Sequence, residues 1–208
     1  MKEETAFFWD EHYRACGNIW AGAAEKLPRL PKGLRVLEAG CGNGKTISGM
    51  KNCGWIITGF DFSKTAASLC RKNLPSGICA DIIVSDASGL PFSGCTYDAV
   101  FARHVIGHSL QNKRRIIAGE FERILKPGGY LFFSEFEKSD MRFGEGKETE
   151  EDTFAKKNGI ITHFFSEEEV ENLFSRLNPV SIETLKWPLK IRGKENTRAE
   201  IQAVFKKN

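Results

Sequence analysis

The 208-residue chain has no run that approaches the ~20 consecutive apolar residues needed to span a bilayer. An apolar N-terminal stretch of the signal-peptide kind is missing too. Together these absences lead to the expectation of a cytoplasmic protein with no membrane partner. Charge of one sign is also lacking: 30 Lys and Arg stand against 27 Asp and Glu, a net charge of +3. The basic residues are interleaved with acidic ones, so nucleic acid is not expected as a partner. The basic clusters are short, such as Lys113-Arg114-Arg115 and Lys206-Lys207, and each of these reads as a solvated helix face or chain end. The six cysteines contain no C-x-x-C pair, which argues against a zinc site or a redox motif. Buried free thiols are the remaining reading, and no metal is expected. Internal repeats and low-complexity tracts are also absent.

What is present is enough for one core, with 41% hydrophobic residues that include 16 Phe and 4 Trp. Thr5 to Lys26 reads as a helix carrying Trp9, Tyr13 and Trp20. Short apolar runs follow at Leu34 to Ala39, Trp55 to Phe60, Ala80 to Val84, Tyr97 to Ala102 and Tyr130 to Phe136. Amphipathic stretches alternate with them, such as Lys113 to Leu125. Buried strands alternating with helices predict a doubly wound, mostly parallel sheet with helices on both faces. Ligands in such sheets lie beyond the carboxyl ends of the strands, where the strand order reverses. We therefore read one domain: a helical cap over 1–33, a core over 34–136, an insertion or lid over 137–165, and a C-terminal helix with strands over 166–208. The insertion is rich in charge and Gly, and mobility is expected of it. Ser166-Glu167-Glu168-Glu169 reads as a capping box that opens a helix to Leu177.

Three motifs sit at strand ends. In Val36-Leu37-Glu38-Ala39-Gly40-Cys41-Gly42-Asn43-Gly44, a strand enters a glycine turn and then a helix. Glycine allows positive φ and close backbone approach to a ligand. Such a turn serves a dinucleotide, another ligand, or mere tight turning. Its spacing is G-x-G-x-G, and Lys45 stands where a dinucleotide fingerprint has its third glycine. Glu38 would repel a pyrophosphate but suits a cationic ligand. In Gly59-Phe60-Asp61-Phe62-Ser63, Asp61 can accept both hydroxyls of a ribose or cap the next helix, a task open to Ser63 also. In Ser85-Asp86-Ala87, Asp86 can accept an adenine amine between Phe62 and Ala87, or serve as an ordinary turn residue.

Taken in order, V-L-E-A-G-C-G-N-G, G-F-D-F-S, S-D-A-S-G-L-P-F, Y-D-A-V-F-A-R-H and L-K-P-G-G-Y-L-F-F-S-E resemble the successive motifs of class I S-adenosylmethionine-dependent methyltransferases. The resemblance covers about Leu34 to Glu135. It implies seven strands with the last antiparallel, Val180 to Leu189 and Ala199 to Phe205 supplying the final two. It also implies S-adenosyl-L-methionine as cofactor, with Glu38, Ala39, Gly40, Cys41, Gly42 and Gly44 cradling the methionine part. Asp61 would hold the ribose, and Phe62 and Ser63 beside it would belong to the cofactor site. Asp86 and Ala87 would meet the adenine, and Arg103 and His104 would lie beside the cofactor. After the fourth strand the chain reads Ala102-Arg103-His104-Val105, unlike the pattern of similar enzymes that act on base amino groups. The stretch from Gly146 to Ser166 is similar to a small-molecule branch of the family. A small-molecule acceptor is therefore the expectation. The alternatives are an RNA or protein methyltransferase, a silent cofactor-binding module, and a nicotinamide oxidoreductase.

Methyl transfer is an in-line displacement in which the enzyme mainly aligns the nucleophile and excludes water. A general base is needed only where the acceptor loses a proton. His104, His108 and His163 are the candidates for such a base, with Glu135 behind them, and His108 and His163 are taken as the catalytic residues. His104 and His108 can equally pack on one helical face. Trp9, Tyr13 and Trp20 can line the acceptor pocket or serve as core.

Overall fold

The computed structural model describes residues 2–17, 26–191 and 193–208, without the side chains of 2–5. In chain order the elements are α1 (Lys2–Cys16), β1 (Arg35–Ala39), α2 (Lys45–Gly49), β2 (Ile56–Asp61), α3 (Lys64–Asn73), β3 (Ala80–Val84) and β4 (Tyr97–Arg103). There follow α4 (Gln111–Ile124), β5 (Leu125–Phe136), β6 (Lys147–Glu150), β7 (Thr153–Ala155), β8 (Ile161–His163), α5 (Glu167–Leu173), β9 (Asn178–Ile191) and β10 (Lys194–Lys206). A 3-10 turn, Ile106–His108, precedes α4. The expected first helix is shorter among the described residues, and Trp20 lies outside them. No described helix is long and apolar enough to cross a membrane.

Seven strands form the main sheet in the order β3-β2-β1-β4-β5-β10-β9. The first five are mutually parallel, and β10 enters antiparallel between β5 and β9. Strand order therefore reverses between β1 and β4, which leaves a crevice at their carboxyl ends. Period-two alternation divides the core. Leu37, Val100, Leu131 and Ile201 pack with Ile117 and Phe121 of α4 and Val170 of α5. Val36, Ala99, Phe101 and Ile57 face the opposite layer, with Ile47 of α2 and Cys70 of α3.

Local signals explain the helix ends near the crevice. Ser63 Oγ accepts the Ala66 N–H and caps α3. Ser166 caps α5 through the Glu169 N–H. α4 has no side-chain cap of its own, and Glu150 of β6 accepts the Gln111 N–H at 2.8 Å instead. α1 is fastened across the sheet edge, where Asp10 accepts hydrogen bonds from Ser63 Oγ and the Thr65 N–H.

Three expectations need correction. The stretch read as an insertion or lid, of which mobility was expected, carries a regular antiparallel sheet, β6-β7-β8, because its short strands pair their own backbone groups. Its charges do not keep it out of the core: Phe154, Ile160 and Phe164 are buried, and Phe136, Phe154 and Phe164 form a cluster of their own. Arg114 does not lie on a solvated face. It is 4% exposed, donates to the Ser109 carbonyl, and approaches Glu150 and Glu169 at 3.6 and 3.8 Å. Of the cysteines, only Cys41 and Cys70 are buried, whereas Cys16, Cys79 and Cys95 are exposed.

Candidate active site

A cavity of about 400 Å³ opens at the carboxyl ends of β1, β2 and β4. Its floor is the glycine turn after β1. Gly40 and Gly42 have φ of +60° and +51°, a region that costs a residue with a Cβ about 1–2 kcal/mol. A Cβ on Gly40 would stand 2.7 Å from Val105 Cγ2, and one on Gly42 would stand 2.7 Å from Tyr13 Oη. The turn is thus pressed between the β4 loop and α1, and its backbone is the surface offered to a ligand.

Three carboxylates stand around this floor. Glu38 on β1 is 3% exposed and lines the cavity. Asp61 at the end of β2 accepts the Gly42 N–H at 3.0 Å and the Ser63 N–H at 2.9 Å. Burial pushes its carboxyl up to about 6, against these hydrogen bonds, which favour the charged form. Asp61 is therefore a brace between the glycine turn and the start of α3, while Ser63 does the capping. Each oxygen keeps a lone pair for a further donor. Asp86 accepts from Ser88 and pairs with Lys113 Nζ at 2.8 Å. Burial opposes its ionisation, but the Lys113 and Ser88 hydrogen bonds prevail and hold it below the usual range. Phe62 and Ala87 add apolar side chains to the cavity lining.

Beyond β4 lies a second group. His104 has a φ of +53° and stacks on Phe136 at 4.2 Å between ring centroids. Its Nε2 is 3.2 Å from Glu200 and its Nδ1 is 3.8 Å from Glu135. Burial alone would lower its pKa, but the two carboxylates raise it to about 9, so the ring is an imidazolium at neutral pH. Glu200 belongs to β10, whose register places it opposite Phe136 of β5. Next to it, Arg198 donates to Asp140 at 2.8 Å, and Arg142 donates to the same carboxylate. Burial would raise the pKa of Asp140, but these donors draw it down to about 2. Arg198 also lies 5.7 Å from the centroid of Trp187, a half-exposed ring on β9 at the cavity mouth.

The structure brings most of the candidate residues together and leaves some behind the surface. Glu38, Gly40, Cys41, Gly42, Asp61, Phe62, Asp86, Ala87, Arg103, His104 and His108 line the cavity. Ala39 sits in the core, Gly44 packs on Cys70, and Ser63 is occupied as a cap. The two candidate histidines part company. His108 is on the wall beside Trp9. His163 is buried away from the cavity lining, between Thr153 Oγ1 at 2.8 Å and the Glu169 carboxylate at 2.9 Å. Trp187, Arg198 and Glu200 had no local motif to announce them. Only the insertion of β10 between β5 and β9 carries them to the site.

The glycine floor fits a ligand with a cationic end and no phosphate, since Glu38 and Asp61 face it. A ribose can use the remaining acceptor capacity of Asp61. The comparisons with known proteins point to methyltransferases. The methyltransferase domain family matches residues 37–133. The tRNA N(3)-cytidine methyltransferase METTL2 of Gallus gallus is 28% identical over 199 residues, covering 88% of this chain and 54% of that protein. The tRNA (carboxymethyluridine(34)-5-O)-methyltransferase of Arabidopsis thaliana is 34% identical over 116 residues, covering 55% of this chain and 27% of that one. The chain thus spans about half the length, or less, of the curated relatives it matches. A solved structure of a SAM-dependent methyltransferase from Methanosarcina mazei superposes with a TM-score of 0.70 at 24% identity, covering 86% of this chain and 94% of that one. These relatives overturn one expectation. Charge interleaving made nucleic acid an unexpected partner, yet these relatives are methyltransferases of tRNA. Net composition averages over the whole surface and does not register local placement, such as the exposed Lys186, Lys190 and Lys194 along β9 and β10.

Proposed function

We propose that this chain is a class I S-adenosylmethionine-dependent methyltransferase, as its methyltransferase-domain match and its relatives support, and that it methylates a nucleobase of tRNA. The observation that carries the reading is the ring of strand-end carboxylates over the glycine floor, combined with relatives that act on tRNA. When bound, S-adenosylmethionine supplies a methyl group on a sulfonium, already activated toward displacement.

The chain's own residues divide the work. Glu38 takes the ammonium of the methionine end, and the Gly40 to Gly42 backbone lets that end approach closely. Asp61 accepts the ribose hydroxyls while it holds the turn in place. Asp86, fixed by Lys113, accepts the adenine amine, and Phe62 and Ala87 enclose the ring. On the far side, His104 is held as a cation by Glu135 and Glu200, which fixes the charge beside the reacting centre. Trp187 with Arg198 offers a stacking platform for an unpaired base at the mouth. Lys186, Lys190 and Lys194 are exposed on the same β9-β10 hairpin and suit phosphates. A base nitrogen or an ionised oxygen attacks with a lone pair it already has, so a general base is not required.

The reading is tested with labelled cofactor, tRNA transcripts and a panel of metabolites. Label is expected in the RNA. Label that enters metabolites and never RNA would refute the acceptor class.

A further inference from the structure

Two buried polar atoms on the cavity wall have no hydrogen-bond partner among the described residues: Trp9 Nε1 and His108 Nε2. Both residues line the cavity, and their rings meet edge to face at 4.8 Å. Trp9 is only 7% exposed, so its indole N–H has lost water without replacement. His108 Nδ1 lies 2.8 Å from the Ile161 carbonyl oxygen of β8. A carbonyl only accepts, so Nδ1 carries the ring proton and Nε2 presents a lone pair. Burial first of all, with His104 and Lys156 nearby and Glu135 opposing, keeps the ring neutral by lowering its pKa. One wall thus holds a neutral donor next to a neutral acceptor, and each costs free energy until a ligand satisfies it.

Building on the RNA reading above, we infer that Trp9 and His108 form the subsite that reads the Watson–Crick edge of the flipped target base. The indole N–H donates to a carbonyl of the base or to a ring nitrogen other than the one that attacks. His108 Nε2 accepts from its exocyclic amine or ring N–H. Edge reading by adjacent donors and acceptors is how a base taken out of its stack is identified. The alternative occupant, the methionine end of the cofactor, carries an ammonium and a carboxylate. For the ammonium Glu38 lines the cavity, and for the carboxylate the backbone of the glycine turn is at hand. A neutral pair complements a neutral edge. His108 ends the turn that follows β4, close enough to His104 and Glu135 for their charges to act on it, and Trp9 reaches it from α1, which packs on Phe62 and Ala66.

The test begins with the wild-type protein and the indole N–H resonances of its 4 tryptophans. Trp9→Phe assigns the Trp9 signal. With S-adenosylhomocysteine bound, addition of cytidine, uridine or adenosine is expected to shift that signal downfield for at least one nucleoside. His108→Asn keeps a donor toward Ile161 and removes the Nε2 lone pair. Each variant is expected to raise KM for tRNA transcripts about tenfold, the loss of one hydrogen bond. S-adenosylhomocysteine affinity should stay within about twofold. A signal that shifts fully with S-adenosylhomocysteine and no further with nucleosides, or that ignores both, overturns the subsite. So does a variant whose defect lies in cofactor affinity. A wild-type protein that methylates no tRNA, yet whose Trp9 signal answers nucleosides, keeps the subsite and discards the RNA reading.

Discussion

Cofactor affinity should depend on pH through Asp61. The perturbation is a change from pH 8 to pH 5. Burial raises the carboxyl to about 6, because water is excluded and Asp10 adds negative charge, while the N–H groups of Ser63, Gly42 and Phe62 pull the other way. Two ribose hydroxyls donate to the site, so they favour the ionised form. At pH 5 a group with that pKa is about one-tenth ionised, so affinity should fall about tenfold from its plateau above pH 7. Binding near pH 5.5 should release a proton. For the free protein the sign is opposite. A carboxyl raised above its ordinary value contributes stability that is fully present below about 3.8 and lost as pH rises through about 6. Calorimetry with S-adenosylhomocysteine from pH 5 to 8 measures the effect. Asp61→Asn should weaken binding and flatten the profile, which separates Asp61 from His108. A flat wild-type profile, or affinity that improves toward pH 5, would refute the assignment of Asp61 to the ribose.

Further outcomes follow from the same geometry. Gly40→Val should abolish cofactor binding, since the new Cβ meets Val105 Cγ2 at 2.7 Å and φ is +60°; unaltered affinity in a folded variant would place the ligand elsewhere. His104, raised to about 9, contributes stability that is fully present below about 6.5 and is lost as pH climbs through 9. Chemical denaturation should accordingly show a loss on the order of 2–3 kcal/mol between pH 6.5 and 10 that His104→Gln does not show. Trp187→Ala should raise KM for RNA by the equivalent of about 1–3 kcal/mol with cofactor affinity unchanged, and equal loss for both ligands would count against a stacking platform. His163→Ala should lower the melting temperature, because Thr153 and Glu169 lose their buried partner, while S-adenosylhomocysteine affinity holds; a selective loss of turnover at unchanged stability would return His163 to the chemistry.

The parallel half of the sheet was legible because each strand end carries its own punctuation. The glycine turn, Asp61 with Ser63, and Asp86 are local signals, and all converge on one crevice. The far wall was not legible. Glu200 and Arg198 reach His104 and Asp140 only through antiparallel pairing across some sixty residues, which no local pattern encodes. The segment after β5 misled for a related reason. Its strands are three or four residues long, too short for alternation to show, and Phe154 and Phe164 reveal their role only when packed on Phe136. His108 and His163 look alike in sequence, yet a 3-10 turn points one at the cavity and a strand buries the other behind it.

The most direct measurement is base-resolved. The protein is incubated with S-adenosylmethionine carrying an isotopically labelled methyl group and with unmodified tRNA transcripts. The RNA is then digested and its nucleosides are separated by mass spectrometry, with Asp61→Ala in parallel. One nucleoside is expected to carry the labelled methyl group, at a level the variant reduces sharply. An unlabelled nucleoside pool from a protein that binds S-adenosylhomocysteine and tRNA would contradict the account.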